Sequence, residues 1–343
     1  MKCMVLEKYN APLVLKEREN PVPDAGEAVI KVGACGVCRT DLKLWQGKMP
    51  VRQKLPIIPG HEVAGKIVDV GKGVDTSYVG KNAIVYTYLF CGTCEFCLSG
   101  RENLCSNLRG TIGLSEDGGY AEYLKAPLEN LFFIPGGIRV EEAAIIPDAV
   151  ATCYHALTSK AKVQPGKMIA VIGAGGLGLH AIQIAKAFGA TVIAVDTNRQ
   201  ALAIAHEMGA EKGVEAGNNH EDIMTRILDF SGGRGVDAVI ECSGDPGMEM
   251  LALNILRIAG RFVAVGYTPD KPFQALSGLL VSKELEIYGS RSKSRDDLKK
   301  TIDLVASSKV KPFIGETHPL AEANLVLKKL ERGDIVGRSV LIP

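Results

Sequence analysis

The fold is decided by the segment MIAVIGAGGLG, residues 168–178. Its last six residues have the pattern G-x-G-x-x-G, which follows an apolar strand, Met168–Ile172, and opens an amphipathic run, Leu179–Phe188. The first glycine of this pattern permits a tight turn, the second lets the backbone approach a pyrophosphate, and the third lets helix and strand pack closely. The segment therefore predicts a strand–turn–helix unit that binds a dinucleotide.

The predicted cofactor site extends from this turn to the next strand. The amides at the helix N-terminus face the phosphates, and the turn residues expected at the cofactor are Gly173, Gly175, Gly176, Leu177 and Gly178. A second strand, Thr191–Val195, is followed by Asp196. A carboxylate there accepts hydrogen bonds from both ribose hydroxyls and repels a 2′-phosphate, which favours NAD over NADP. Because Arg199 lies only three residues after Asp196, NADP remains the alternative cofactor.

The alternation of strands and helices continues along the chain. We predict helices at Arg199–Met208 and Met248–Ile258 and strands at Asp237–Glu241 and Arg261–Val265. This order is typical of a doubly wound parallel sheet in an α/β domain. Residues before 150 are rich in proline and short β-type runs. We therefore predict a β-rich domain of residues 1–149 and 290–343, interrupted by the sheet domain of residues 150–289.

The composition excludes several classes of protein. The 343 residues carry 40 basic and 39 acidic side chains, and this balance gives no support to a nucleic-acid or membrane-surface protein. Residues 168–185 lack charge over nearly the length of a membrane span, but their clustered glycines favour a strand, a turn and a buried helix. Residues 1–7 contain no apolar signal core, so we expect a cytoplasmic protein.

Four of the nine cysteines crowd into one short loop. They follow the spacing C-x2-C-x2-C-x7-C and are Cys91, Cys94, Cys97 and Cys105. Four thiolates close a tetrahedral shell around Zn²⁺ and leave no open position, which is typical of a structural zinc site. An iron–sulfur cluster, which also uses four cysteines, is the main alternative, and uncoordinated thiols are the other.

Three further motifs complete a pattern. They are Cys38-Arg39-Thr40-Asp41, Gly60-His61-Glu62 and Gly337-Arg338-Ser339. In this order, with the cysteine loop and the glycine turn, they resemble the zinc-dependent alcohol dehydrogenases of the medium-chain dehydrogenase/reductase family over essentially the whole chain. The resemblance implies a GroES-like catalytic domain, a Rossmann domain, a catalytic zinc, a structural zinc and NAD. It also implies hydride transfer between a primary or secondary alcohol and NAD, which gives an aldehyde or ketone.

The resemblance assigns a role to each residue of the first two motifs. Cys38 and His61 would be ligands of the catalytic zinc, and Glu62 would be a neighbouring carboxylate that can enter or leave the shell. Thr40 would take the proton of the substrate hydroxyl. Asp41 would orient the His61 ring from behind.

The third protein ligand departs from the commonest pattern of the family. A cysteine often stands six residues before the tyrosine of a T-x-Y stretch, and here that register places Asp148. Some family members use aspartate at this position, and we predict Asp148 as the ligand. Cys153, five residues out of register, is a rival ligand. A helix N-cap after Pro147 is the alternative role for Asp148.

Three basic residues have expected roles at the cofactor. Arg39 and Arg338 resemble the arginines that contact the cofactor pyrophosphate. Lys43 stands where a histidine commonly ends a proton relay. Because a lysine is already protonated near neutral pH, a ribose contact or a solvated charge is the favoured interpretation of Lys43.

The sequence leaves the substrate open. Pocket candidates are Trp45, Met49 and Phe90, and the slim Met49 hints at room for larger or secondary alcohols. A polyol, sugar or amino-alcohol dehydrogenase with the same zinc site is the alternative within the family. A zinc-free quinone or enoyl reductase and a non-enzymatic zinc- and nucleotide-binding regulator are remote alternatives. Family members are dimers or tetramers, often joined through edge strands, here Glu284–Gly289.

Overall fold

The computed structural model describes residues 1–49 and 54–343, which group into two compact units. The first unit comprises Met1–Ala149, Lys293–Ala306 and Pro312–Pro343, and the second comprises Val150–Ser292 and Ser307–Lys311. The grouping differs from the predicted domain bounds at residues 290–292 and 307–311, which lie in the second unit. Gln183 explains part of this difference, because its side-chain amide donates to the carbonyl of Lys311 and accepts from its amide, both at 2.9 Å.

The strands are numbered in chain order. They are β1 Lys2–Val5, β2 Val14–Glu17, β3 Glu27–Val37, β4 Glu62–Val70, β5 Asn82–Val85, β6 Tyr88–Leu89, β7 Gly110–Thr111, β8 Tyr123–Pro127, β9 Leu131–Phe133, β10 Met168–Ile172, β11 Thr191–Asp196, β12 Lys212–Glu215, β13 Val236–Glu241, β14 Leu256–Ala264, β15 Glu286–Gly289, β16 Ile314–Pro319 and β17 Arg338–Ile342.

The α-helices are numbered in the same way. They are α1 Arg39–Trp45, α2 Glu95–Leu98, α3 Val140–Ile145, α4 Ala151–His155, α5 Gly178–Ala187, α6 Arg199–Glu207, α7 His220–Phe230, α8 Gly247–Ile255, α9 Ser277–Lys283, α10 Arg295–Ala306 and α11 Ala323–Arg332. Ile146–Val150 and Ala156–Ala161 form π-helical turns.

The second unit is built on a parallel six-stranded sheet in the order β12-β11-β10-β13-β14-β15. This order starts at a central strand and runs outward to both edges, which is the Rossmann arrangement of a doubly wound sheet. The strands β10 and β13 at its centre are almost entirely buried, as expected for a sheet covered on both faces. The predicted α/β fold class is confirmed.

The uncharged stretch 168–185 divides in the second unit into β10, the glycine turn and the first part of α5. Helix α5 is ten residues long. Among the residues that the structure describes, no helix has the length and apolar character needed to cross a membrane.

One predicted helix is too long. The sequence predicts a helix over Met248–Ile258, but α8 ends at Ile255 and β14 begins at Leu256. Leu256 is buried and pairs with Val236 of β13. An apolar residue at 256 suits a helix and a buried strand equally well, and the pairing with β13 selects the strand.

The first unit positions the catalytic motifs through its central strand. Strand β3 pairs antiparallel with β17, β4 and β8 within a seven-stranded sheet. Near the end of β3, Gly36 lies opposite Glu62, and Val37 lies opposite Ser339. The chain leaves β3 into Cys38, while β4 and β17 begin at Glu62 and Arg338. Three motifs that are far apart in sequence therefore meet where β3 ends and where its neighbours β4 and β17 begin.

Candidate functional site

Four potential metal ligands converge in the first unit. Cys38, His61, Glu62 and Asp148 each present one donor atom, and these atoms lie within 4.8 Å of one another. Cys38, His61 and Glu62 are buried, and Asp148 is partly buried on the π-helical turn Ile146–Val150. One thiolate, one imidazole and a carboxylate form a donor set that suits Zn²⁺.

The side chain of Asp41 supports this cluster through hydrogen bonds to His61 and Cys38. Its Oδ1 lies 3.0 Å from His61 Nδ1, and its Oδ2 accepts the Cys38 amide at 2.8 Å. The buried Tyr120 hydroxyl donates to the same Oδ2 at 3.2 Å. The bond to Nδ1 leaves His61 Nε2 directed at the cluster, where it lies 3.8 Å from Asp148 Oδ2. The structure thus gives Asp41 the orienting position expected from the resemblance.

Arg338 lies among the carboxylates of the cluster. Its Nη2 is 2.6 Å from Glu62 Oε1 and 2.9 Å from Asp148 Oδ2, and its Nε donates to Glu62 Oε2 at 3.1 Å. The guanidinium is buried together with Glu62. Arg338, expected at the cofactor pyrophosphate, therefore has two carboxylate partners in the first unit. Glu62 pairs with this arginine. This position agrees with the expectation that Glu62 is a carboxylate beside the metal ligands that can enter or leave the zinc shell.

The electrostatic environment of the cluster favours ionisation of Cys38 and Asp148 but not of Glu62. Burial works against ionisation of the Cys38 thiol, but the charge of Arg338 and a hydrogen bond with His61 lower its pKa overall. Burial likewise opposes ionisation of Asp148, yet the hydrogen bond from His61 and the charges of His61, Lys293 and Arg338 hold its pKa well below the usual range. Burial raises the pKa of Glu62 well above its ordinary value.

The alternatives for the third ligand have different surroundings. Cys153 donates through its Sγ to the carbonyl of Leu177 at 3.1 Å within the second unit. Helix α4 has Val150 as its N-cap residue and no side-chain cap among the described contacts. Asp148 therefore does not cap this helix. Its oxygen lies 3.5 Å from Cys38 Sγ, as a shared metal would require.

The remaining predicted residues of the first unit have varied environments. Thr40, in the first turn of α1, has its hydroxyl 3.6 Å from Cys38 Sγ, and Arg39 beside it is exposed. Trp45 donates to the carbonyl of Ala11 at 2.6 Å. Phe90 is buried, while Lys43 and Met49 are partly buried.

The four-cysteine loop forms a second donor cluster in the first unit. The donor atoms of Cys91, Cys94, Cys97 and Cys105 all lie within 4.8 Å of one another. The amides of Thr93 and Cys94 point at Cys91 Sγ, and the Cys91 amide donates to Cys105 Sγ at 3.3 Å. Amide hydrogen bonds lower the pKa of Cys91 to about 7 and that of Cys94 to about 5. Burial raises the pKa of Cys97 to about 12, so the loop by itself favours thiolates at Cys91 and Cys94. The four sulfur atoms have the arrangement that a structural zinc site needs.

The glycine turn of the second unit has the geometry of a dinucleotide site. Gly173 has φ +88°, and a Cβ on Gly178 would lie 1.8 Å from the carbonyl oxygen of Gly173. A Cβ on Gly175 would meet no atom within 4 Å. Leu177, the N-cap residue of α5, contributes no side-chain cap. Open space above Gly175, beside the amides of Gly176 and Leu177 that immediately precede α5, fits a pyrophosphate.

Asp196 ends β11 beside this turn. Its Oδ2 accepts the amide of Ala174 at 2.6 Å, and its Oδ1 accepts the amide of Asn198 at 2.8 Å. Arg199 is 82% exposed and pairs with Glu215 at 2.8 Å. The carboxylate of Asp196, rather than this exposed ion pair, is the group that favours NAD over NADP.

Sequence reasoning did not single out three buried polar residues near these sites. Tyr120 supports Asp41, and His180 Nδ1 lies 2.7 Å from the carbonyl oxygen of Gly176, in the glycine turn. The third, Lys293, lies near the metal-ligand cluster. A buried His or Lys in an otherwise ordinary stretch gives no local pattern, although Tyr120 belongs to a conspicuous Gly118-Gly119-Tyr120 run.

The fold and the two kinds of site together define a class of enzyme, the zinc-containing dehydrogenases with a Rossmann domain. Residues 24–136 match the family model "Alcohol dehydrogenase GroES-like domain", and residues 176–307 match "Zinc-binding dehydrogenase". An alcohol dehydrogenase of Geobacillus stearothermophilus is 39% identical over 343 residues, 99% of each chain. An NAD-dependent alcohol dehydrogenase of Sulfurisphaera tokodaii is 35% identical over the whole of both chains.

A solved structure agrees with these sequence comparisons. The alcohol dehydrogenase of Aeropyrum pernix superposes with a TM-score of 0.92 at 32% identity, and all of both chains is covered. The chain belongs to the zinc-dependent alcohol dehydrogenases of the medium-chain dehydrogenase/reductase family. It is an oxidoreductase that uses zinc and NAD to transfer a hydride between an alcohol and the nicotinamide.

Proposed function

We propose that Cys38, His61 and Asp148 hold the catalytic zinc, with Glu62 as an additional carboxylate held by Arg338. The observation that carries this proposal is the convergence of the four donor atoms within 4.8 Å. The Asp41 bond to His61 Nδ1 supports it, because it directs Nε2 at the same point. Cys91, Cys94, Cys97 and Cys105 hold a second, structural zinc.

For the cofactor, we propose that the glycine turn holds the NAD pyrophosphate. Gly175 leaves the space for it, and the Gly176 and Leu177 amides donate to it, while Gly173 and Gly178 shape the turn. Asp196 accepts from the ribose hydroxyls. Arg39 and Arg338 are the proposed arginine contacts of the pyrophosphate, and Arg199, which pairs with Glu215, is the further arginine proposed at the cofactor.

The residues around the proposed zinc site have different chemical roles. Zinc supplies a Lewis acid for the substrate oxygen, and NAD supplies the hydride acceptor. Thr40, whose hydroxyl lies 3.6 Å from Cys38 Sγ, relays the proton: it accepts the proton of the substrate hydroxyl and gives up its own toward the cofactor ribose. Asp41 keeps the His61 ring fixed, and the buried Arg338 keeps two carboxylates at fixed positions.

The wider organisation of the protein is also part of the proposal. Residues 1–149 and 290–343 form the catalytic domain, and residues 150–289 form the NAD domain. We propose a cytoplasmic homo-oligomer, a dimer or tetramer joined through β15. This strand lies at the edge of the six-stranded sheet, where Ile287 is 40% exposed and nearby Val281 of α9 is 81% exposed. An exposed apolar edge strand favours pairing with a second copy.

The proposed substrates are primary or secondary alcohols. Initial rates with NAD and with NADP on ethanol, 2-propanol, longer secondary alcohols, sorbitol, glucose and threonine test this directly. We expect turnover of simple alcohols with NAD and a lower kcat/KM with NADP. If the protein turned over sorbitol, glucose or threonine but not the simple alcohols, it would be a polyol, sugar or amino-alcohol dehydrogenase instead.

A further inference from the structure

A buried lysine lies close to the proposed catalytic zinc ligands. The Lys293 side chain is 1% exposed, which makes it one of the largest fully buried side chains of the described chain. Its Nζ lies 3.4 Å from Thr87 Oγ1, and that hydroxyl donates to the carbonyl of His61 at 3.1 Å. Two hydrogen bonds therefore link the ammonium to the backbone carbonyl of His61, whose side chain is a proposed zinc ligand.

The ammonium of Lys293 has an unusual set of partners. Its Nζ lies 5.7 Å and 5.9 Å from the ring centroids of Tyr86 and Tyr88. Among the residues that the structure describes, no carboxylate forms an ion pair with it. Burial of an ammonium is expensive unless an opposite charge compensates it nearby. The metal-ligand cluster is the source of that charge, and Lys293 contributes to the low pKa of the Asp148 carboxyl.

The cluster carries more negative than positive charge when its ligands are ionised. When Glu62 is ionised in its ion pair with Arg338, the residues Cys38, Glu62, Asp148 and Asp41 supply four negative charges, and Arg338 supplies one positive charge. When the two positive charges of a zinc ion are added, the cluster keeps a net charge of −1. The ammonium of Lys293 removes this surplus and makes the occupied cluster neutral as a whole.

We infer that Lys293 is a positioning residue that balances the charge of the ligand cluster and thereby limits how tightly that cluster holds its zinc ion. The inference rests on the proposed ligand assignment. Its physical basis is that a fixed cation near the cluster repels a divalent ion, and this repulsion is stronger in a buried site than in water. Removal of the charge should therefore strengthen zinc binding, whereas loss of a merely structural side chain would weaken it.

The test measures zinc affinity in the whole protein. Lys293→Met and Lys293→Gln are first depleted of labile zinc and then titrated with zinc against a chromophoric chelator, with the four-cysteine site filled. We expect both variants to bind the catalytic zinc at least about tenfold more tightly than the unmodified protein. Lys293→Arg, which keeps the charge, should bind zinc with nearly unchanged affinity.

A second lysine provides the matched control. Lys283 is also without an ion pair among the described residues, and it donates to the carbonyls of Asn254 and Leu256 in the second unit. Lys283→Met should leave zinc affinity unchanged. Equal or weaker zinc binding by both neutral variants of Lys293 would overturn the inference. Failure of the ligand assignment has a different signature, because Asp148→Asn would then keep its zinc whatever the result at Lys293.

Discussion

Arg338 Nη2 lies 2.9 Å from Asp148 Oδ2, so one oxygen faces both a buried guanidinium and the metal-ligand cluster. A cysteine at position 148 would offer the metal a thiolate but no comparable acceptor for this arginine. The aspartate therefore joins the proposed zinc site to strand β17 by a charge-assisted hydrogen bond, which is stronger than a neutral one.

The first prediction concerns Asp148. Asp148→Asn keeps the shape of the side chain and an acceptor for Arg338 but loses the negative charge, so we expect loss of the catalytic zinc and of turnover. Asp148→Cys, which restores a thiolate of the same charge, should retain both zinc ions. Metal analysis and kcat measure the outcome. Near-normal zinc content and kcat in Asp148→Asn would show that Asp148 is not a ligand.

The two zinc ions should differ in lability. The four-cysteine site is a closed shell of four thiolates, whereas the proposed catalytic site uses one carboxylate and keeps a position open for substrate. Mild chelation should therefore abolish activity with one zinc ion still bound and the thermal unfolding temperature nearly unchanged. One zinc ion or none in freshly purified active enzyme would contradict this expectation.

The choice between NAD and NADP should depend on Asp196. Asp196→Gly removes the ribose acceptor together with the repulsion of a 2′-phosphate. Because a hydrogen bond to a charged group contributes about 1.5–3 kcal/mol, the NAD/NADP ratio of kcat/KM should fall by at least roughly tenfold. Asp196→Asn, which keeps an acceptor for the amides of Ala174 or Asn198, separates the charge effect from damage to the turn. An unchanged ratio in both variants would reject the assignment.

Two glycines of the turn provide a matched pair of variants. The added Cβ in Gly175→Ala enters open space, so the protein should keep its thermal stability while NAD affinity falls at least about tenfold. The added Cβ in Gly178→Ala lies 1.8 Å from a backbone oxygen, so stability itself should fall. NAD titration and thermal unfolding of both variants separate these effects. If Gly175→Ala bound NAD normally, the open space would not be the pyrophosphate site.

Acid stability should depend on Asp237. This buried carboxylate accepts the amide of Met168 and pairs with Lys167, Arg234 and Arg257. Burial alone would raise its pKa, but the bonds from Arg234, Met168 and Arg257 lower it overall. A lowered pKa stabilises the fold above the unfolded value near 4 and loses that stabilisation as the pH falls through the folded value.

Asp237→Asn measures this contribution. We expect it to reduce the free energy of unfolding by about 2–3 kcal/mol at pH 7 and by progressively less below pH 4. Urea unfolding at a series of pH values is the measurement. A difference that did not change with pH would assign the loss to packing rather than to charge.

The local motifs were the part of the structure that could be predicted from the sequence. The glycine turn, the cysteine loop and β10 depend on residues within a few positions of one another, and the structure has them at the predicted places. The prediction of Asp148 as a zinc ligand depends only on the T-x-Y register of the family. No local pattern in residues 146–150 marks a metal ligand.

Contacts between distant segments could not be predicted from the sequence. The partners of Arg338 depend on the register between β17 and β3, which no short stretch encodes. Lys293 looks like any surface lysine until its burial is known. The end of α8 at Ile255 likewise depends on the pairing of Leu256 with a strand some 20 residues earlier.

The pairing of β17 with β3 imposes an order of events during protein synthesis. Arg338 is made 190 residues after Asp148, its carboxylate partner. At typical ribosomal rates this interval lasts about 10–40 s. During it Cys38, His61, Glu62 and Asp148 have been synthesised and Arg338 has not. Ligands that assembled in this interval would lack the guanidinium, so a zinc ion would meet one positive charge less than in the completed chain.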